Sequence, residues 1–297
     1  MNAETHRAAP QRDTEDSVAA RIRERMGECT PSERKVARTL LATYPVAGFE
    51  TVAGLAEIAG VSGATVVRFT TRLGYRGFPD FRRALRVELE QRGASPAALY
   101  ERTSSRRAAR GGKLADLAEP AAEDLRSTFA GLSEHDFNTT LEALAAPRNR
   151  LWIVGGRYSN FLAQYLAASL QQLRTGVSMV PEMASLRAAT MADFGSKDVL
   201  IAFDFRRYEA STRELVMLAK ARRASVVVVT DQWLSPCAPE ADAVLTSVAS
   251  ERGTFDSVVP VMAMIEAIFE ALLVRIGEPA RDRIARIEET AQRLDLL

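Results

Sequence analysis

The chain has 297 residues, of which 47% are hydrophobic, so it is long enough for about two domains with buried cores. It has two cysteines, Cys29 and Cys237, and no Cys/His cluster with metal-ligand spacing, which suits a reducing compartment and argues against a zinc site. The net charge of +1 is unevenly distributed: +3 over residues 1–92, +4 over 93–113 and −6 over 114–297. A basic N-terminal part and an acidic C-terminal part are typical of a DNA-binding domain joined to a separate second domain.

The N-terminal segment, residues 1–17, is polar and lacks the apolar stretch of a signal peptide, and we expect it to be disordered. The longest apolar runs in the chain are about five to seven residues, against the ~20 needed to span a bilayer. These features predict a cytoplasmic protein that is not inserted in a membrane. No motif indicates a cofactor.

The pattern over residues 18–92 predicts a bundle of short helices. Two of them, at about 51–59 and 62–73, are joined by a tight turn at Gly60. Ser62 is the expected N-cap of the second. This is the arrangement of a helix-turn-helix, whose second helix enters the DNA major groove.

The helices before and within this motif carry local signals for their ends and faces. Thr30 and Glu33 have the spacing of a capping box, which begins a helix that runs to about Tyr44. Hydrophobic periodicity predicts the inner faces of the two helix-turn-helix helices: Val52, Leu55 and Ile58 on the first, and Val66, Val67, part of Phe69 and Leu73 on the second.

The second helix of the motif is the candidate recognition helix. Its Arg68 is the best base reader, because a guanidinium can pair with guanine through two hydrogen bonds. Arg72, Tyr75 and Arg76 are expected to contact phosphates, which position a protein without reading sequence. The candidate DNA-contacting residues are Ser62, Gly63, Ala64, Thr65, Arg68, Arg72, Tyr75 and Arg76, with Lys35, Arg82 and Arg83 as further backbone contacts. The alternative is a three-helix packing unit with solvated arginines.

The second half of the chain has a different pattern. Residues 93–112 are small, polar and basic, which predicts a linker. From residue 113, two helices are followed by short Val/Ile-rich strands that alternate with helices, which indicates an α/β domain with a parallel sheet covered by helices on both faces. An apolar helix at about 257–276 is either a subunit interface or a buried core helix. The predicted strands are 151–156, 177–182, 198–205, 225–231 and 243–248.

Several segments resemble the RpiR family of bacterial transcriptional regulators: TPSERKVARTLL, then VAGLAEIAGVSGATVVRFTTRLGYRGFPDFR, then the downstream α/β pattern. The most specific block runs from Ser62 to Phe81, and the resemblance covers about residues 18–275. It implies a winged-helix-like N-terminal domain joined to a SIS (sugar isomerase) domain. It also implies a homodimer or homotetramer on a palindromic double-stranded DNA operator, with a phosphorylated sugar or related metabolite as the ligand.

The candidate ligand site lies in loops that follow the strands, because open parallel sheets bind ligands beyond the carboxyl ends of their strands. Glycines let backbone N–H groups approach an anion, and a Ser or Thr at a helix start completes the cradle. The candidate ligand-binding residues are Gly155, Gly156, Arg157, Ser159, Asn160, Arg206, Arg207, Tyr208, Ser211 and Thr212.

These loops depart from the pattern of sugar-phosphate-binding SIS domains, which is G-x-G-x-S in the first loop and S-x-S-G-x-T in the third. DFRRYEAST stands where the serine-rich cradle should be. We therefore hypothesise that Arg157, Arg206 and Arg207 clamp the carboxylate or phosphate of an anionic metabolite. The alternative is that Arg206 and Arg207 form surface or interface salt bridges.

Other polar and aromatic residues have simpler interpretations. Asp231 is expected to cap a turn, Glu251 to reach either the pocket or solvent, and His135 to cap a helix or be exposed. Trp152 and Trp233 are expected to be packing residues.

Two further functions compete with a ligand-controlled regulator. A sugar-phosphate isomerase needs a base beside the substrate carbon, and only Glu251 is a candidate, since His6 and His135 lie outside the predicted sheet. A DNA-binding protein with an inert, purely oligomerising SIS domain would not respond to any small molecule. Of these three functions, the sequence favours a ligand-controlled regulator, and we nominate no catalytic residue.

Overall fold

The computed structural model describes residues 17–42, 44–93, 95, 97–101, 103, 114–249 and 255–296. The chain divides into two compact units between Glu88 and Leu89, close to the predicted boundary after residue 92. Most of the predicted tail and linker lie outside the described residues. Within the expected linker, residues 97–101 form a helical turn that buries Leu99, so this part is not irregular.

The described part of the N-terminal unit is helical. Short 3₁₀ turns, Arg25–Glu28 and Val46–Phe49, follow the first and second helices. The helices are α1 (Val18–Glu24), α2 (Pro31–Ala42), α3 (Val52–Ala59), α4 (Gly63–Arg72) and α5 (Phe78–Arg92).

Local hydrogen bonds set the ends of these helices. The predicted capping box is present: Thr30 N–H donates to Glu33 Oε2 at 2.8 Å, and Glu33 N–H donates to Thr30 Oγ1 at 3.3 Å. Gly60 ends α3 in the left-handed conformation with φ 62°, and Ser62 caps α4 by accepting from the Thr65 N–H. These signals fix the turn of the helix-turn-helix.

The core of this unit is formed by one face of each helix, with Leu55, Phe69 and Phe81 fully buried. The inner-face predictions for Ile58 and Val67 are wrong, since both are exposed. A helix turns by about 100° per residue, so when Val66 faces the core its neighbour Val67 does not.

The C-terminal unit alternates strands with helices. Its helices are α6 (Leu114–Gly131), α7 (Glu134–Ala145), α8 (Ser159–Leu173), α9 (Ala184–Ala192), α10 (Ala210–Ala221), α11 (Val259–Ile276) and α12 (Glu278–Arg293). Its strands are β1 (Arg150–Gly155), β2 (Val177–Met179), β3 (Asp198–Phe203), β4 (Ser225–Asp231) and β5 (Ala243–Ser247).

The strands form one parallel sheet in the order β2-β1-β3-β4-β5. The central strand β3 is buried along its whole length, and its Ile201 pairs with Val227 of β4. One hydrophobic cluster packs α7, α8 and α11 on one face, and a second packs α9 and α10 on the other. The predicted α/β fold with a doubly covered parallel sheet is therefore confirmed.

The apolar helix α11 is a core element of its own unit. Met264, Ile265, Ile268 and Leu272 are buried in the cluster that covers one face of the sheet. Burial within the fold is therefore observed for one face of this helix, and its role as a subunit interface stays a prediction.

Among the described residues, no single helix is long and apolar enough to cross a bilayer. Only α3 and α4 taken together reach that composition, and they are bent by 99° at the break between them.

Candidate functional site

The N-terminus of α4 is the part of the helix-turn-helix that the sequence assigned to DNA contact. Ser62 and Ala64 are exposed there and Gly63 is half-buried. Ser62 Oγ lies 2.9 Å from Thr65 Oγ1, and Thr65 itself is buried. The first turn of α4 therefore presents small side chains, with Thr65 holding the cap beneath them.

Arg68 lies one turn further along the exposed face of α4. Its Nη2 donates to Thr65 Oγ1 at 3.3 Å, which draws the guanidinium toward the N-terminus of the helix. In a recognition helix, the residues near the N-terminus contact the base edges, so a long basic side chain is useful at this position.

Arg72 joins α4 to α2. Its Nε donates to Glu33 Oε2 at 3.1 Å, and its carbonyl accepts from Arg25 Nη1 at 2.7 Å. Burial of Glu33 opposes its charge, but the Thr30 N–H and hydroxyl and the Arg72 guanidinium lower the pKa of Glu33 overall. This ion pair gives Arg72 a structural role that the sequence analysis did not foresee.

Tyr75 is a core residue, and the expectation that its side chain is displayed toward phosphate is corrected. It is only 8% exposed, and its ring packs edge-on against Phe81 at 5.4 Å between centroids. The Arg21 guanidinium lies 5.2 Å from the centre of the same ring. The sequence pattern could not distinguish a buried tyrosine from an exposed one.

Arg76 is exposed, and its backbone N–H donates to Asp80 Oδ2 at 3.1 Å. That backbone hydrogen bond is the largest cause that lowers the pKa of Asp80, with Arg76 and Arg83 adding to it. Lys35 is exposed and Arg82 half-buried. Arg76, which follows α4, and Arg83, on α5, thus both pair with Asp80 in the first turn of α5.

The second candidate site is a cavity of about 230 Å³ at the carboxyl edge of the sheet in the C-terminal unit. It is bounded by the loops that follow β1 and β3, by the ends of β4 and β5, and by the segment that leads into α11. The loops after β1 and β3 and the end of β4, which the sequence predicted to form the ligand site, therefore all contribute to this cavity. Among its lining residues are Gly156, Arg157, Ser159, Arg206 and Arg207 from the predicted set, together with Asp204, Glu209, Asp231, Phe255 and Asp256.

The loop after β1 packs tightly against the start of α8. A Cβ on Gly155 would lie 2.5 Å from the Ser159 carbonyl oxygen, so only glycine fits there. Ser159 Oγ accepts from the Gly156 N–H at 2.8 Å and donates to the Phe203 carbonyl at 3.0 Å. Ser159 therefore ties this loop to the end of β3.

Arg206 does not form the clamp that the sequence suggested, and this hypothesis is corrected. Its side chain is 1% exposed, and its Nε donates to Asp256 Oδ2 at 2.6 Å while Nη2 donates to the other carboxylate oxygen. The guanidinium also lies 5.4 Å from the centre of the Trp233 ring. Arg206 does form a salt bridge, as the alternative expected, but the pair is buried within the unit and is not at a surface or interface, and the Nε and Nη2 donors of one guanidinium edge are both bound by Asp256.

The two other arginines are exposed. The Arg157 side chain is 75% exposed, with its Nε 4.0 Å from Glu209 Oε1. Arg207 has φ 71°, a left-handed conformation at the tip of the loop after β3. Positive charge that is open to a ligand therefore comes from Arg157 and Arg207.

The loop after β3 is held by buried carboxylates. Asp231 Oδ1 accepts from the Trp233 N–H at 3.1 Å, which confirms the predicted turn cap, and from Tyr208 Oη at 2.6 Å. Burial raises the pKa of Asp204, although Ser235 and the Glu209 N–H donate to it. Tyr208 thus positions the loop.

The remaining predicted residues lie around the cavity without lining it. Asn160 donates to Glu182 at 3.4 Å, Thr212 is buried in the first turn of α10, and Ser211 is exposed. Glu251 lies outside the described residues. The sequence missed Glu209 and Asp256, whose partners are 50 or more residues away in the chain.

Other candidate residues have the simple roles expected of them. His135 is exposed, Trp233 is buried, and Trp152 Nε1 donates to Asp198 at 3.0 Å. Burial raises the pKa of the Cys237 thiol to about 11, so it is protonated and unreactive at neutral pH. Within the described ranges, no group of three metal-ligating side chains occurs.

The chain matches two family models: the helix-turn-helix domain of the rpiR family over residues 17–92, and the SIS domain over residues 144–271. It is 27% identical to the HTH-type transcriptional regulator YfhH of Escherichia coli strain K12, over 92% of this chain and 98% of that protein. It is 24% identical to the HTH-type transcriptional regulator HexR of the same organism, over 92% and 93%.

A solved structure of similar fold is the Vibrio vulnificus NanR protein complexed with ManNAc-6P. It has a TM-score of 0.53 and 22% identity, and the match covers 93% of this chain and 98% of that one. The sugar isomerase domain of an RpiR transcription factor from Sphaerobacter thermophilus matches with a TM-score of 0.54 and 23% identity, over 58% and 95%. At these identities the likeness concerns the fold.

Proposed function

Because the chain belongs to the RpiR family of transcriptional regulators, with an N-terminal helix-turn-helix domain and a C-terminal SIS domain, we propose that an anionic metabolite bound in its SIS domain controls its affinity for an operator. The metabolite is a sugar phosphate or a carboxylate. The cavity at the carboxyl edge of the parallel sheet is the observation that carries this proposal.

The positive charge at the cavity supports an anionic ligand. Arg157 and Arg207 line it and are exposed, so a carboxylate or phosphate can reach either guanidinium group from solvent. The related fold of NanR, solved as a complex with ManNAc-6P, supports a sugar-phosphate-like compound as one member of this class.

DNA binding is assigned to the exposed N-terminal half of α4. Ser62, Ala64 and Arg68 face outward there, and Arg76 follows the helix. In a homodimer or homotetramer, two such helices about 34–36 Å apart would meet successive major grooves of a palindromic operator. The ligand changes operator affinity only if it binds the DNA-bound and free arrangements with different affinities.

The alternative is a regulator whose SIS domain only oligomerises. The pairing of Arg206 with Asp256 favours this alternative, since it takes one of the three candidate arginines away from any ligand. An isomerase is less well supported, because relatives that match over most of the chain are named transcriptional regulators.

Thermal melting of the full chain tests whether the cavity binds an anion. The panel holds ManNAc-6P, other sugar phosphates, inorganic phosphate, and mono- and dicarboxylates. A ligand that binds only the folded protein raises the melting temperature by mass action, and at 100 times its dissociation constant it adds about 2.7 kcal/mol of stability.

The matched variants are Arg207→Ala at the cavity and Arg222→Ala at the far end of α10, both of which remove an exposed arginine. We expect the ligand-dependent increase to shrink only in Arg207→Ala. If no anion shifts the melting temperature of the natural chain, the anionic-ligand proposal fails.

A further inference from the structure

The loop after β1, which lines the cavity, has the glycine-rich backbone expected of an anion-binding loop. Two of its backbone N–H groups, however, already donate to acceptors within the protein. The Gly156 N–H donates to Ser159 Oγ at 2.8 Å. The Arg157 N–H donates to Glu209 Oε1 at 3.2 Å. A carboxylate of the protein itself thus accepts from a loop amide at which an anionic ligand would be expected.

The space for this carboxylate exists because residue 156 is glycine. A Cβ on Gly156 would lie 2.6 Å from Glu209 Oε1 and 2.9 Å from its Cδ. The Arg157 guanidinium is on the same side, with Nε 4.0 Å from Glu209 Oε1. Glu209 is therefore seated against the backbone of the loop after β1.

The backbone of Glu209 is held as firmly as its carboxylate. Its N–H donates to Asp204 Oδ1 at 3.2 Å, and its carbonyl accepts from Thr212 in the first turn of α10. The carboxylate reaches the β1 loop from a fixed point on the β3 loop, so the contact closes the gap between the two.

We propose that Glu209 is a specificity-determining residue of the cavity, whose carboxylate takes the anion position of the loop after β1 and keeps a ligand's phosphate out of it. The ligand instead turns a hydroxyl or another hydrogen-bond donor toward Glu209, and its anionic group lies toward Arg207. This inference rests on the proposed function, and it narrows the ligand to a hydroxylated anion whose charge is remote from Glu209.

Charge around the cavity supports this assignment. Its lining holds four carboxyl groups and three guanidinium groups, and one of the latter, Arg206, is bound to Asp256. A phosphate placed on the Arg157 N–H would meet Glu209 at contact distance, where like charges repel strongly. An uncharged hydroxyl at that place would instead donate to the carboxylate.

Binding of inorganic phosphate to the full chain, measured by calorimetry, tests the proposal. Two substitutions separate the effect of the negative charge of Glu209 from the effect of its side chain occupying the Arg157 N–H. Glu209→Gln removes the charge but leaves an oxygen that can accept from the Arg157 N–H, and Glu209→Ser removes both. Glu214→Gln, an exposed position on α10 outside the cavity lining, is the matched control.

We expect Glu209→Ser to bind phosphate at least about tenfold more tightly than the natural chain, in line with one charge-assisted hydrogen bond gained and one like charge removed. Glu209→Gln should be intermediate, and Glu214→Gln unchanged. The melting temperature of each variant shows whether it is folded, and Glu209→Gln, which keeps the side-chain shape, decides the matter if the serine variant does not fold.

Equal phosphate affinity in the natural chain and both Glu209 variants would overturn the proposal. The readout involves no DNA, so its failure is distinct from failure of the proposed function. If phosphate affinity rises in the Glu209 variants while no compound changes operator affinity of the natural chain, the role of Glu209 stands and metabolite control fails.

Discussion

Arg68 is the residue that we propose reads a base in the operator. It lies on the exposed face of α4, and its contact with Thr65 directs the guanidinium toward the N-terminus of the helix, the end that we propose enters the groove. Its neighbours at the start of the helix, Ser62 and Ala64, are too short to block its approach to a base edge.

Arg68→Ala should weaken binding at the cognate site by about 1–3 kcal/mol and relax base preference at one position, because a bidentate contact with guanine would be lost. Fluorescence anisotropy with cognate and random duplexes at one salt concentration measures both effects. Arg76→Ala is the control, and it should weaken both duplexes equally. Equal losses for Arg68→Ala would identify Arg68 as a phosphate contact.

At the scale of elements, the loop between β3 and α10 is fixed by contacts from distant parts of the chain. Arg206 binds Asp256 through two hydrogen bonds from the Nε/Nη2 edge of its guanidinium, and Asp231 accepts from the Arg206 N–H at 2.5 Å. These bonds hold the loop at the cavity with Arg207 at its tip, and they suit Arg206 to a structural role.

Arg206→Ala should lower the free energy of unfolding by about 3 kcal/mol, the lower end for a broken buried ion pair, because Asp256 is partly exposed. Both tryptophans of the chain, Trp152 and Trp233, lie in the C-terminal unit, so their fluorescence during urea unfolding reports on this unit. Arg207→Ala, at an exposed position, should change stability by less than about 0.5 kcal/mol. Equal stability in the two variants would contradict the structural role of Arg206.

Much of the fold was predictable from the sequence because its signals are local. The capping box at Thr30, the left-handed Gly60 and the Ser62 cap each depend on residues within one turn of the chain. Short Val-rich strands such as β4 are recognisable in the same way. The elements and their order therefore followed from patterns that span a few residues.

The candidate site was only partly predictable because its contacts are long-range. The sequence placed Arg206 at the right edge of the sheet, but its partner Asp256 is 50 residues away and no local pattern joins them. Glu209 was passed over for the same reason, since its contact is with Arg157. The error at Tyr75 has another cause: its ring packs on Phe81 of the following helix, and a local pattern does not show which side of a residue that helix covers.

At the scale of the whole molecule, the proposal couples two sites on different units of one chain. A ligand in the SIS domain can alter DNA affinity only through a difference in its own affinity for the two DNA-binding arrangements, and the coupling is reciprocal. DNA must therefore change the ligand's affinity by the same factor as the ligand changes that of DNA.

The most direct test uses a DNA duplex that the full chain has itself selected by binding. The dissociation constant for this duplex is measured with and without a saturating concentration of a compound that raised the melting temperature. If the metabolite controls DNA binding, we expect this constant to change by about fivefold or more with that compound, in either direction, and by less in Arg207→Ala. An unchanged constant under saturation would contradict metabolite control and leave a DNA-binding protein whose SIS domain only oligomerises.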